Sequence, residues 1–97
     1  MSAYTLASRA EHDLEQIFSY IADEHGEDRA LAVHEALLSA FRFLADARHA
    51  GRERLDLTPE GVRWWNVDNF VVLYLAESSP IVVLRVIHGM RDLERLV

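Results

Sequence analysis

The chain has 97 residues, no cysteine, and ten arginines but no lysine against sixteen acidic residues, which gives a net charge of −6. This length predicts one domain over residues 1–97, and the lack of cysteine excludes disulfides and thiolate metal sites. No apolar run approaches membrane-spanning length, no signal pattern opens the chain, and the acidic balance argues against direct nucleic-acid binding. A cytoplasmic protein without membrane contact is therefore expected.

Apolar periodicity predicts a short strand and then two helices. Residues 4–7 are the strand candidate, and Ser8 with Glu11 reads as a capping box that opens the first helix. Gly26 suits the end of that helix. A second helix is expected from about residue 27 to Asp46, with one apolar stripe made of Ala30, Val33, Leu37, Phe41 and Leu44. The short connection predicts an antiparallel helical hairpin.

Three further strand candidates follow a long connection over residues 49–61. They cover residues 62–67, 70–76 and 81–88, and the segments 68–69 and 77–80 contain the turn-forming residues that join them. Such short turns imply an antiparallel meander. The element order is β-α-α-β-β-β, which predicts an α+β fold with the helical hairpin on one face of a mainly antiparallel sheet.

The last strand candidate carries one arginine among apolar residues. Strict alternation assigns its residues to two faces, with Val82, Leu84, Val86 and His88 on one and Ile81, Val83, Arg85 and Ile87 on the other. We expect the first face to pack under the helices. Arg85 would then project from the open face, where a guanidinium can bind an anion or an aromatic ring.

No motif for metal, cofactor or nucleophilic chemistry is present. The pair His34-Glu35 begins like a zinc-protease helix, but Leu38 occupies the position where the second histidine is needed. The remaining early histidines have no ligand spacing, and neither a phosphate-binding glycine loop nor a nucleophile elbow occurs. The sequence therefore predicts no catalytic residue, no metal site and no cofactor.

Arginine and aromatic residues recur along the last three strands. On the open face we expect Arg85 together with Arg63 and Trp65 from one neighbouring strand and Phe70 and Tyr74 from the other, depending on the strand register. Arg52 and Arg54 could border this group. One interpretation is a recognition patch, since such patches are rich in arginine and aromatic residues. The other is that the arginines pair with nearby acids such as Asp56, Glu60 or Asp92, or stack on the rings, and only hold the sheet together.

Several short motifs occur in a fixed order along the chain. They are Ala10 with Asp13-Leu14, Leu44-Ala45, Gly51-Arg52, Val62-Arg63, Phe70 with Tyr74, and the segment Arg85-Val86-Ile87-His88-Gly89-Met90-Arg91-Asp92. Their order and spacing resemble the ParE branch of the RelE/ParE superfamily, the toxins of type II toxin–antitoxin pairs. The chain departs from the family where Arg48 stands in place of a usual proline.

The resemblance implies a growth-inhibiting toxin that a small cognate antitoxin, ParD-like or similar, neutralises. RelE-like members cut messenger RNA on the ribosome with basic residues and a tyrosine or histidine near the C-terminus, whereas ParE-like members poison DNA gyrase. Residues 90–97 contain no tyrosine and the chain is acidic, so gyrase inhibition is favoured. The alternatives are an mRNA interferase and an inert descendant that only binds antitoxin. The expected partner or target contacts are Arg52, Arg63, Trp65, Tyr74, Arg85, His88, Arg91, Leu93 and Arg95.

Overall fold

The computed structural model describes residues 3–89, which form two helices packed on a mixed five-stranded sheet. The elements are β1 (Tyr4–Leu6), α1 (Ser8–His25), α2 (Glu27–Asp46), β2 (Arg52–Glu53), β3 (Val62–Val67), β4 (Phe70–Leu75) and β5 (Ile81–His88). The sheet order is β1-β5-β4-β3-β2, with β1 parallel to β5 and the other pairs antiparallel. The predicted α+β fold is confirmed, and the short strand β2 is an addition to it.

The two helices are joined by Gly26 alone. Its φ of +94° lies in the left-handed region that glycine adopts without steric cost. The Gly26 N–H donates to the carbonyl of Ala22 and its own carbonyl accepts from Ala30, so one residue ends α1 and begins α2. The predicted capping box is wrong, because Ala7 is the N-cap of α1 and no side chain caps the helix.

The main core lies between the helical hairpin and one face of the sheet. The predicted stripe of α2 is buried in full, and Ala10, Leu14 and Ile21 of α1 are buried beside it. The sheet contributes Phe70, Val72, Tyr74, Ile81, Val83 and Val86, and Ala76 joins them from the turn after β4. The opposite face carries a smaller buried cluster of Val62, Trp64, Val71, Leu73 and Ile87, against which Leu57, Leu75 and Leu84 pack.

A β-bulge in β5 decides which of its residues face the helices. Tyr74 of β4 pairs with Val83, but the preceding residue Leu73 pairs with Arg85, so Leu84 is an extra residue in β5. Strict alternation fails at such a position, because two residues of one strand oppose a single residue of the other.

The face assignment from alternation is therefore wrong before the bulge and right for Val86 and Ile87 after it. Ile81 and Val83 face the helices, and Leu84 packs in the cluster on the opposite face. Val82 pairs with Leu75, which belongs to that same opposite side. Val86, beyond the bulge, is buried under the helices as predicted.

Asp13 of α1 binds β5 where β1 ends. The pairing of β1 with β5 stops at Leu6 and Val83, so within residues 3–89 no strand lies beside the next part of β5 on that side. The Asp13 carboxylate fills the gap: Oδ2 accepts from Arg85 Nε at 2.7 Å and from the Val86 backbone N–H at 2.9 Å, and Oδ1 accepts from Arg85 Nη2 at 3.0 Å. The two side chains are only 12% and 22% exposed. Arg85 thus pairs with an acid, as one interpretation of the sequence expected, but the acid is Asp13 of α1 rather than Asp56, Glu60 or Asp92.

A second set of contacts, the loop anchor, fixes the chain between α2 and β2. It consists of Arg48, Gly51, Arg63 and Tyr74. The Tyr74 hydroxyl donates to the Arg48 carbonyl at 2.8 Å and accepts the Gly51 N–H at 2.9 Å, while Arg63 Nη1 donates to the Gly51 carbonyl at 2.7 Å. A Cβ on Gly51 would lie 2.6 Å from the Tyr74 hydroxyl, so only glycine fits. The anchor determines where β2 begins.

The Asp13 contact predicts a stability effect for Asp13→Ala. The free energy of unfolding should fall by about 2 to 3 kcal/mol, since the change removes the carboxylate that accepts from both the Arg85 guanidinium and the buried Val86 N–H. Arg85→Ala should cost less, because Asp13 would keep the Val86 N–H. Urea titration measures both, with the exposed Arg9→Ala as control. A fall no larger than that of the control would show that the contact contributes nothing.

The loop anchor predicts alkaline sensitivity. Burial raises the pKa of Tyr74 above its ordinary value of 10.0. The stability that the neutral phenol contributes is therefore fully present below the pKa of the unfolded state, near 10, and is lost as pH rises through the raised pKa of the folded state. Tyr74→Phe should lower the free energy of unfolding by about 1 to 2 kcal/mol at pH 7. Above pH 10, thermal melts of the wild type should decline more steeply than those of Tyr74→Phe, and parallel pH profiles would contradict this account.

Candidate binding cleft

A cleft of about 840 Å³ opens at the edge of the sheet beside the β3–β4 turn. It exists because β2 is only two residues long and pairs with Arg63 and Trp64, so the rest of β3 has no described strand outside it. Trp64 and Trp65 both line the cleft although they belong to opposite faces of the sheet. The cleft therefore lies across the sheet edge and is reached from both faces.

One wall of the cleft is aromatic. His88 at the end of β5 stacks on Phe70 with ring centroids 4.9 Å apart and lies 6.4 Å from Tyr20 of α1. Trp65 is backed by Phe43 of α2 at 5.2 Å. Tyr20 is 55% exposed, so its ring is available to a partner.

The two arginines of the cleft differ in their surroundings. Arg54 lies 5.1 Å from the ring centroid of Trp64 and forms two hydrogen bonds with Asp56, at 3.1 and 3.2 Å. This hydrogen bonding raises the pKa of Arg54 and lowers the pKa of Asp56, so each group keeps the other charged. The Arg52 side chain is exposed and makes no hydrogen bond or ion pair to another residue of the described range. It is the cation of this cleft that a ligand can recruit.

The structure separates the predicted contact residues into three groups. Arg52, Trp65 and His88 line the cleft. Arg63, Tyr74 and Arg85 do not: the first two belong to the loop anchor, and Arg85 binds Asp13. The remaining three predicted contacts, Arg91, Leu93 and Arg95, lie outside the described residues.

Sequence reasoning missed several residues of the cleft. Tyr20 comes from α1, about seventy positions before His88, and no local pattern links the two. Trp64 was not selected, although the adjacent tryptophan was. The polar lining residues Asn66 and Asn69 also went unnoticed, because single amides near a turn read as turn formers.

The cleft has the composition of a surface for protein recognition. The lining contains tyrosine, tryptophan and arginine, the residue types in which binding energy concentrates at protein interfaces. Within residues 3–89 there is no group of three histidine or acidic side chains that could hold a metal ion. In the same part of the chain, neither helix has the length and apolar character needed to cross a membrane.

Comparisons with known proteins agree with the resemblance seen in the motifs. Residues 4–93 match the sequence model of the ParE toxin of the type II toxin–antitoxin system, parDE. Toxin ParE3 of Caulobacter vibrioides is 32% identical over 81 residues, which are 84% of this chain and 80% of that protein. A solved structure described as the chromosomal ParDE TA system from P. aeruginosa has the same fold, with a TM-score of 0.77 at 21% identity over 92% of this chain and 97% of that one. The chain therefore belongs to the ParE toxin family of type II toxin–antitoxin systems.

Proposed function

We propose that this ParE-family toxin inhibits DNA gyrase, and that a ParD-like antitoxin neutralises it by binding the helical hairpin. The observation that carries the proposal is a cleft with the chemistry of a protein-binding surface in a chain that matches the ParE family over nearly its whole length. The resemblance to ParE-like toxins implies gyrase as the target. On this proposal the protein acts in the cytoplasm, where gyrase works.

The charge distribution supports a protein target over a nucleic acid. The chain carries a net charge of −6, and affinity for nucleic acids comes mainly from a basic surface that neutralises phosphates. In the cleft, Asp56 offsets the charge of Arg54, and Asp68 adds an acid at the turn. The remaining positive charge of Arg52 is too little to hold an RNA backbone.

Cleavage of messenger RNA is the competing function, and one observation favours it. His88 lines the same cleft as Arg52 and Arg54, and these residue types can transfer a proton and stabilise a phosphate. The His88 ring, however, is stacked on Phe70, which accounts for its position through packing. An inert descendant that binds antitoxin without toxicity is the third possibility.

The helical hairpin is the surface that we assign to the antitoxin. Two large apolar side chains of α2 stand half exposed, Leu31 at 52% and Phe43 at 47%. Exposed apolar residues on a helix suit an amphipathic segment that folds as it binds. Neither residue lines the cleft, but Phe43 packs against Trp65, which does, so Leu31 is the one of the two that marks a surface separate from the cleft.

The proposal predicts the outcome of expression and of a supercoiling assay. Expression of the chain alone should arrest growth, and the purified protein should inhibit gyrase supercoiling while leaving ribosome-bound messages intact. His88→Phe keeps an aromatic ring against Phe70 but removes the proton-transfer group, so this variant should still arrest growth. Codon-positioned cuts that disappear in His88→Phe would establish the nuclease instead. Unimpaired growth at high soluble expression would favour the inert descendant.

A second prediction concerns neutralisation. Leu31→Glu should weaken rescue by the co-expressed antitoxin, because it places a charge in an apolar contact, and should leave growth arrest by the toxin alone in place. Thermal stability should change little, since the side chain is half exposed. Arg29→Glu, an exposed charge reversal in the same helix, is the control. Full rescue of the Leu31 variant would remove this part of α2 from the antitoxin interface.

A further inference from the structure

The outer edge of β3 has unpaired backbone groups inside the cleft. Val67 and Phe70 flank the two-residue turn and bond to each other across the hairpin, so the backbone N–H and C=O of Asn66 point outward. The partner strand β2 reaches only as far as Trp64. Among the described residues, no strand lies beside residues 65–67 on the side away from β4. An exposed edge of this kind is a template for pairing with another chain.

The two tryptophans restrict the shape of the occupant. Trp64 packs with the cluster on the helix-free face, whereas Trp65 packs against the core under the helices. Trp64 is only 7% exposed and lies under the Arg54 guanidinium, so a ligand on that face meets Arg54 rather than the indole. An extended segment lying along the edge of β3 reaches Trp65 on one face and Arg54 on the other, because its side chains alternate between the two faces as those of β3 do.

The charges at the two ends of this edge give the occupant a direction. Arg52 pairs with Trp64 at one end, and Asp68 forms the turn at the other. The four residue steps between Trp64 and Asp68 span roughly 13 Å in a strand. A carboxylate is therefore favoured at the Arg52 end, and an uncharged or basic residue is favoured beside Asp68.

We infer that the outer edge of β3 at residues 65–67 binds an extended segment of the target protein as an additional strand, with an acidic residue beside Arg52. The inference rests on the function proposed above, which makes gyrase the target. It adds the surface engaged, the conformation of the bound segment and the charge that the segment carries.

Binding of the purified protein to intact gyrase tests the inference with two pairs of variants. Asn66→Pro removes the outward N–H, and proline is tolerated on an edge strand, whereas Asn66→Ala removes only the side chain. The proline variant should bind at least ~10-fold more weakly than the alanine variant, as expected for a lost backbone hydrogen bond that leaves its partner unpaired.

The second pair tests the charge. Arg52→Glu should weaken binding, whereas Arg9→Glu, an exposed reversal on α1, should not. Thermal melts verify that each variant is folded, and the Arg52 pair decides the question if Asn66→Pro does not fold.

The possible results separate this inference from the function on which it rests. If the wild type does not bind gyrase, both are overturned. If the wild type binds and both pairs behave alike, the edge of β3 is not the contact although the target stands. Variants that lose antitoxin binding and keep gyrase binding would assign the edge to the antitoxin, which also overturns the inference.

Discussion

The contact between Asp13 and β5 is the constraint on which the arrangement of the molecule depends. β1 is too short to cover β5, and the backbone N–H of Val86 would otherwise be left without a partner beside the helices. One carboxylate accepts that N–H and both guanidinium bonds of Arg85. Because a buried polar group without a partner is costly, α1 has one position over the sheet in which these groups are all satisfied. The helical hairpin follows α1 through the single connecting residue Gly26.

The edge of the sheet is organised by the loop anchor in a comparable way. Tyr74 is fully buried and holds the chain at Arg48 and Gly51, while Arg63 binds the Gly51 carbonyl. These bonds turn the chain sharply into β2 and away from the outer edge of β3. The same contacts that stabilise the loop thus leave the cleft open, with both tryptophans in its lining. Arg63 and Tyr74, which the sequence suggested as recognition residues, therefore act by positioning the loop that borders the cleft.

The bounds of the two helices and of β3, β4 and β5 could be predicted because they depend on local signals. The apolar spacing of α2, the glycine between the helices and the turn residues at 68–69 each determine their element without long-range information. The facing of β5 could not be predicted, since a bulge of one residue, Leu84, is invisible in an apolar run that reads equally well in either phase. β2 was missed because two charged residues carry no alternation. The cleft joins α1 and the strands β2, β3, β4 and β5, so its residues become neighbours only once the sheet has formed.

The most direct measurement is hydrogen–deuterium exchange of the backbone amides, with and without intact gyrase. Gyrase should slow exchange at the amide of Asn66, which points away from β4 and would pair with the bound segment, and should leave the exposed amides at the start of α2 unchanged. Slowed exchange confined to the helical hairpin, with the edge of β3 exchanging as in the free protein, would contradict the central claim.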